Sequence, residues 1–443
     1  MKLSSFRDVQ LRPVLRVVVA LVLLLAVALF TLIGVLTVTR GTPVSAVRTL
    51  DGGGRLPAVR DTLFARTMEL YTGAELVPGN RVEVLLDGDG TYPAFWRDLR
   101  AAERTLTVQF YYSLPSAVAD TLASILLERR RAGVQVLLLL DAFGSQPLQG
   151  DYVRRLRRGG VRVEWLRPLR WYTLHKADER SHVRAIIVDG RIGYTGGFGL
   201  ADYWLGDGRS PGEWRETNVR FEGPAVAQLQ AAFAVGWAEA TGELLVGTEF
   251  FPPPSFEPAG DVRGMLLHTL PTSGSTPAER FLALSIAGAR HTLYMSNSYF
   301  VPDDDFRDLL LRAAGRGVDV RILVPGPATD VKTTYYAARS RYEELLAGGV
   351  RIYEYQPSNM HAKTFVVDGM WSTIGSLNFD NRSIAFNNEA TLVTLDGGVG
   401  ARMDSVFLAD LEYAKEITLE EFSRRPWRGK VLEWGANLIS RVL

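Results

Sequence analysis

Three hydrophobic patterns run along the chain. Residues 17–38 hold no charged side chain and are dominated by Val, Leu, Ala, Ile and Phe. As a helix this stretch spans about 33 Å, enough to cross a bilayer core. Arg16 and Arg40 bracket it. A cleaved leader has an apolar run of only about 7–15 residues, so the length predicts a retained single-pass anchor, although Val44-Ser45-Ala46 has the small side chains of a cleavage site. Lys2, Arg7, Arg12 and Arg16 before the span, against Arg40, Arg48 and Arg55 after it, lean toward a cell-membrane protein whose body lies outside the cytoplasm. The second pattern is strand-length apolar runs such as residues 137–140 and 322–324, too short to span and read as buried strands. The third is helical stretches of 10–15 residues between them. The alternation predicts an α/β fold with helices on both faces of a sheet.

The alternation also repeats. Residues 105–111 match 292–298 in pattern, and each is followed by a helical stretch ending at Gly133 or Gly317, where glycine suits a left-handed C-cap. Gly159-Gly160-Val161 answers Gly348-Gly349-Val350, and residues 182–197 answer 361–376. The offset drifts between 179 and 189 residues, as a duplicated domain with variable loops would leave it. The predicted organisation is an anchor over residues 1–40, a linker over 41–79, a first domain over 80–265, a second over 266–410, and a C-terminal helical segment over 411–443. Pro252, Pro253 and Pro254 read as a stiff connector near the join. In the C-terminal segment Val431, Trp434, Leu438 and Val442 fall at helical spacing with Arg428, Lys430 and Arg441 nearby. That pattern suits packing on the body and lying on a bilayer equally well.

Composition narrows the chemistry. The 443 residues include no cysteine, which removes disulfides, zinc–thiolate sites and thiol nucleophiles together. A net charge of +1 argues against a general nucleic-acid binder. Lysine is scarce, at Lys2, Lys176, Lys332, Lys363, Lys415 and Lys430, and there are five histidines. The Arg129-Arg130-Arg131 run reads as a solvated helix end, and Trp96, Trp165 and Trp171 as core or interfacial anchors.

One motif draws on the rare residues, and it occurs at the same place in both repeats. His361, Lys363 and Asp368 in the second copy correspond to His182, Arg184 and Asp189 in the first: a histidine, a base two residues on, an apolar run, and Asp-Gly seven residues on. A strand would project the histidine and base to one face. Asp-Gly is a strong hairpin signal, and the following strands end at Gly196-Gly197 and Gly375-Ser376, where small residues permit close approach to a ligand. Two imidazoles can divide the work of nucleophile and general acid, cations can hold phosphoryl oxygens, and a carboxylate can fix an imidazole tautomer. The remaining His175, His268 and His291 are scattered without ligand spacing, so neither metal nor cofactor is expected.

The duplicated His-x-Lys-x4-Asp pattern resembles the phospholipase D superfamily, and the wider match resembles the bacterial cardiolipin synthases. Residues 375–383 with Asn387 and Glu389, residues 299–303, residues 214–217 with 222–226, and Arg424-Arg425-Pro426-Trp427 carry it, over roughly residues 70 to 443. The resemblance implies two duplicated α/β/α domains, preceded by one transmembrane helix, with one active site on a pseudo-twofold axis. It implies that His182 attacks phosphorus and His361 protonates the leaving alcohol, that Asp368 orients His182 and Asp189 orients His361, and that Lys363 and Arg184 bind phosphoryl oxygens. Gly197, Ser376, Asn378 and Glu389 are implied at the substrate. The implied reaction is phosphatidyl transfer between two phosphatidylglycerols at a membrane, giving cardiolipin and glycerol. Lipid hydrolysis, nucleic-acid cleavage and a degenerate lipid-binding scaffold are the alternatives. Two positions depart from the family pattern, both in the first half: Arg184 stands where the family has Lys, and Gly199 where it usually has Asn.

Overall fold

Strand residues alternate between two apolar layers, and that alternation sets the architecture. The computed structural model describes residues 5–38, 44–49, 56–168, 179–272, 274–438 and 440. Arg40, Trp171, His175, Arg441 and Val442 lie outside them. The body, residues 42–441, is one compact unit. Its main sheet contains β1 (Val77–Leu86), β2 (Thr105–Phe110), β3 (Gln135–Asp141), β4 (Arg162–Leu166), β5 (Ala185–Val188), β6 (Ile192–Gly196) and β7 (Thr217–Glu222). It continues with β8 (Val262–Thr269), β9 (Thr292–Asn297), β10 (Asp319–Pro325), β11 (Arg351–Tyr355), β12 (Lys363–Val367), β13 (Trp371–Gly375), β14 (Glu389–Leu395) and β15 (Ala414–Ile417).

The spatial order is β15-β11-β10-β9-β12-β13-β14-β8-β1-β7-β6-β5-β2-β3-β4. With β15 set aside, the order reads through corresponding strands from either end. β11, β10, β9, β12, β13, β14 and β8 on one side answer β4, β3, β2, β5, β6, β7 and β1 on the other. The two series meet where β1 pairs antiparallel with β8. Leu106, Val108 and Phe110 of β2 face one core, with the Asp87–Arg100, Ala117–Arg131 and Asp151–Arg158 helices. Leu137 and Leu139 of β3 face another, under the Ala225–Thr241 helix, and that core runs on through Leu266, Ile374, Leu392 and Met403 of the other half. Residues 62–72, within the stretch expected to be a linker, form a helix that buries Phe64, Ala65 and Met68.

Both Asp-Gly hairpins form as their sequence predicts. Asp189 and Gly190 have φ of 53° and 66°, Asp368 and Gly369 of 51° and 58°. Arg191 N–H donates to Val188 O at 2.9 Å, and Met370 N–H to Val367 O at 3.1 Å, closing the two turns. At the other end of the chain, Ser5–Val38 is a single helix, a unit by itself. Its Leu15–Leu32 window has mean hydropathy 2.8 and is long and apolar enough to cross a membrane.

Candidate active site

Each histidine stands just before its strand instead of within it: β5 begins at Ala185 and β12 at Lys363. The reason lies in where their backbones bond. His182 N–H donates to Asn388 O at 2.9 Å, and His361 N–H donates to Arg215 O at 2.8 Å, each in the opposite half of the chain. The residue after each acceptor is a glutamate, so backbone pairing sets that carboxylate beside the ring. His361 Nδ1 lies 2.5 Å from Glu216 Oε2. His182 Nδ1 lies 3.0 Å from Glu389 Oε2 and 3.0 Å from Ser376 O. A carbonyl oxygen only accepts, so His182 Nδ1 carries the proton and Nε2 keeps its lone pair.

The orienting carboxylates are therefore Glu389 and Glu216, and this corrects the expectation that Asp368 and Asp189 serve the rings. The two aspartates are occupied elsewhere. Asp189 accepts from the backbone N–H groups of Glu103, Arg104 and Thr105 at 2.8–2.9 Å. Asp368 accepts from Arg290, His291 and Thr292 at 2.7–3.0 Å. Each ties a hairpin turn to the start of β2 or β9. Their place after the apolar run puts them at the end of the strand away from the histidine, where no ring is in reach.

Both rings line one cavity of about 520 Å³, with Tyr111, Arg184 and Tyr299. Among the described residues neither Nε2 has a hydrogen-bond partner. The Arg184 guanidinium is buried and donates Nε–H to Phe198 O at 2.8 Å and Nη1–H to His182 O at 3.1 Å. Lys363 is buried behind His361, whose carbonyl it contacts. Of the residues expected at the substrate, Asn378 lines the cavity and accepts from Ser298 Oγ at 2.8 Å. Ser376 instead donates to Glu389 Oε2 at 2.5 Å. Gly197 makes room for Glu216, since a Cβ there would lie 2.3 Å from Oε2. Their backbone N–H groups are taken by Asn218 Oδ1 and Ala390 O, which leaves them unavailable to a ligand. His268 and His291 lie apart from this cavity.

The two imidazole environments differ electrostatically. Burial, with Arg184, Lys363 and His361 nearby, pushes His182 well below its usual range. Burial and the Lys363 charge push His361 down to about 4 against the pull of Glu216. Burial raises the Glu216 carboxyl, but Lys363 and His361 more than reverse this and hold it below its ordinary value. Glu389, buried and hydrogen-bonded only by neutral groups, is pushed up to about 7. Lys363 is pushed down to about 7 by burial, partly offset by Glu216. Burial lowers Arg184 too, yet a guanidinium keeps its proton. Arg184 is thus a permanent charge where a lysine would titrate.

Sequence reasoning missed Glu216 as a site residue. The signal was present: Glu216 and Glu389 are 173 residues apart, close to the offset of the histidine pair, and each opens onto a central strand. Gly199 also has a physical reason, because a Cβ there would lie 2.5 Å from the Trp204 ring. Trp204 packs edge-on against His361 with centroids 5.4 Å apart.

Residues 282–411 match the family described as "Cardiolipin synthase, PLD-like domain". Cardiolipin synthase A of Pseudomonas entomophila (strain L48) is 34% identical over 401 residues, covering 87% of this chain and 82% of that one. The chain belongs to the phospholipase D superfamily, in its cardiolipin-synthase-like branch. Cardiolipin synthase of Geobacillus kaustophilus (strain HTA426), another relative in this branch, is 33% identical over 365 residues, covering 82% and 72%. The fold likeness extends to the crystal structure of phosphatidylserine synthase from Haemophilus influenzae Rd KW20, with TM-score 0.66 and 12% identity over 86% of this chain and all of that one.

Proposed function

We propose that the protein is a membrane-anchored phosphatidyl transferase that makes cardiolipin and glycerol from two phosphatidylglycerols. The observation that carries this reading is the pair of imidazoles in one cavity, each with Nδ1 held by a glutamate from the other half and, among the described residues, no partner on Nε2. The two halves, residues 80–265 and 266–410, act as copies facing each other across a pseudo-twofold axis, and the Leu15–Leu32 helix holds the body at the bilayer, outside the cytoplasm by its flanking charges.

His182 Nε2 attacks the phosphorus of the first lipid, forming an N–P bond as the bond to the glycerol oxygen breaks. His361 Nε2–H protonates that oxygen, and glycerol leaves. His361 then takes the proton of a hydroxyl on the second phosphatidylglycerol, whose oxygen displaces His182 to give cardiolipin. The split environments suit these roles: the neutral, Nδ1-protonated His182 is the nucleophile, and His361 beside ionised Glu216 is the site where an imidazolium is best stabilised. The entering phosphodiester supplies the negative charge that raises His361 enough to carry its acid proton. Arg184 and Lys363 supply the cations for the non-bridging oxygens, with Asn378 at the cavity wall.

The test is to incubate the purified chain with vesicles of labelled phosphatidylglycerol and to acid- and base-quench for a covalent adduct. Cardiolipin, glycerol and an acid-labile phosphohistidine lost in His182→Ala are expected. Phosphatidic acid as the sole product would make the protein a hydrolase, and absence of turnover with intact lipid binding would make it a scaffold.

A further inference from the structure

The Trp427–Leu438 helix turns one face inward and leaves another bare. Glu433 and Ala436 are buried. The Glu433 carboxylate is held by Arg339 at 3.4 Å and by Arg425 at 2.8 Å, and both guanidinium groups lie over the Phe422 ring, 4.9 and 3.8 Å from its centroid. At about 100° per residue, Trp427, Val431, Trp434 and Leu438 fall within a sector of about 60° on the opposite side. They are 70%, 54%, 65% and 66% exposed. Arg428 and Lys430 project on either flank of that stripe and are also exposed. The one acid of the helix is Glu433, so its exposed charge is entirely positive. Scattered exposed apolar residues are ordinary. Four in line, two of them tryptophan, between flanking cations make the pattern of a helix lying in a membrane interface.

The inward face leads to the cavity. Glu433 meets Arg339 at the end of the Lys332–Arg339 helix, and the start of that helix lines the two-histidine cavity through Val331 and Thr334. Eight helical residues span about 12 Å.

We propose that the Trp427–Leu438 helix docks flat on an anionic bilayer, immersing the Trp427, Val431, Trp434 and Leu438 stripe with Arg428 and Lys430 at the lipid phosphates, and so holds the cavity one short helix from the lipid surface. Charge decides the occupant. A second copy would oppose like-charged flanks, whereas anionic headgroups neutralise them. The Leu15–Leu32 helix is separately long and apolar enough to cross a membrane. The proposal rests on the functional reading only for why the cavity should face lipid.

The chain has no cysteine, so Val431→Cys gives a unique site for a spin label, with Arg154→Cys on an exposed helix of the first half as reference. The full chain is reconstituted in vesicles of phosphatidylglycerol and phosphatidylcholine, and collision with oxygen is compared with collision with an aqueous nickel chelate. A several-fold higher oxygen-to-nickel ratio at 431 is expected. Equal ratios would overturn the proposal, as would dipolar coupling between 431 labels, which would put a second copy on this face. In the double variant Trp427→Ser/Trp434→Ser, KM for vesicle phosphatidylglycerol should rise several-fold while turnover of a water-soluble short-chain analogue stays unchanged. An unchanged vesicle KM would count against docking. A chain that immerses residue 431 yet acts on neither lipid would remove the catalytic reading and leave the docking intact.

Discussion

At the scale of single residues, the proposed mechanism rests on the difference between two nearly matched rings. Removing the acid, His361→Ala, should lower transfer about 10²–10⁴-fold, measured as cardiolipin formed per enzyme. At saturating lipid, where the bound phosphodiester keeps His361 charged, the pH profile of kcat should be bounded by two other groups. Glu389, raised to about 7, must ionise to hold the His182 Nδ1–H, so activity should rise with pH through that value. Lys363, lowered to about 7, loses its charge above it, so activity should fall again. Glu389→Gln should remove the acid limb, and Lys363→Arg should move the alkaline limb upward; a profile unchanged in both variants would refute these assignments. Gly197→Ala places a Cβ where the Glu216 carboxylate lies. Displacing that carboxylate by about 1 Å should cost about 10²-fold in kcat with the melting temperature nearly unchanged. The histidines, their cations and the hairpin aspartates were all legible as a repeated motif. The two glutamates recur at nearly the histidines' offset, but which ring each one holds was not legible, because a cross-half hydrogen bond leaves no spacing of its own.

At the scale of elements, the motif has one end at the cavity and one end in a hairpin. The histidine docks against the opposite half, while the Asp-Gly turn seven residues later anchors its own strand pair through three backbone N–H groups. Asp189→Ala would strip those three donors of a charged acceptor, at a cost of about 3 kcal/mol. The expected signature is a lower melting temperature with an unshifted pH profile in the fraction that remains folded. A shifted profile with normal stability would instead return Asp189 to an orienting role. Strand and helix alternation, the buried β3 and the two hairpins follow from local periodicity and turn chemistry. The entry of each histidine before its strand does not, because its amide bonds to a residue on the other half, Arg215 or Asn388.

At the scale of the whole molecule, the two series of strands share a seam and a core. β1 pairs with β8, and Leu266, Ile374 and Leu392 share a cluster with Val226 and Leu229. The body should therefore unfold as one cooperative unit. In hydrogen exchange, amides of β3 and β10 are expected to open with the same free energy, and clearly separate values would mean that the halves unfold independently. The sequence by itself determined the apolar span, the α/β alternation, and the recurrence of a histidine, a base and an Asp-Gly turn at a nearly fixed offset. Each of these is written in local spacing: strand and helix periods, turn dipeptides, and scarce residues recurring at a fixed offset. Only the tertiary structure decided that Glu216 and Glu389 hold the rings, that Asp189 and Asp368 hold the hairpins, and which face of the C-terminal helix stays bare. Those outcomes depend on contacts between residues far apart in the chain, and chain spacing carries no record of which distant groups folding brings within hydrogen-bond reach.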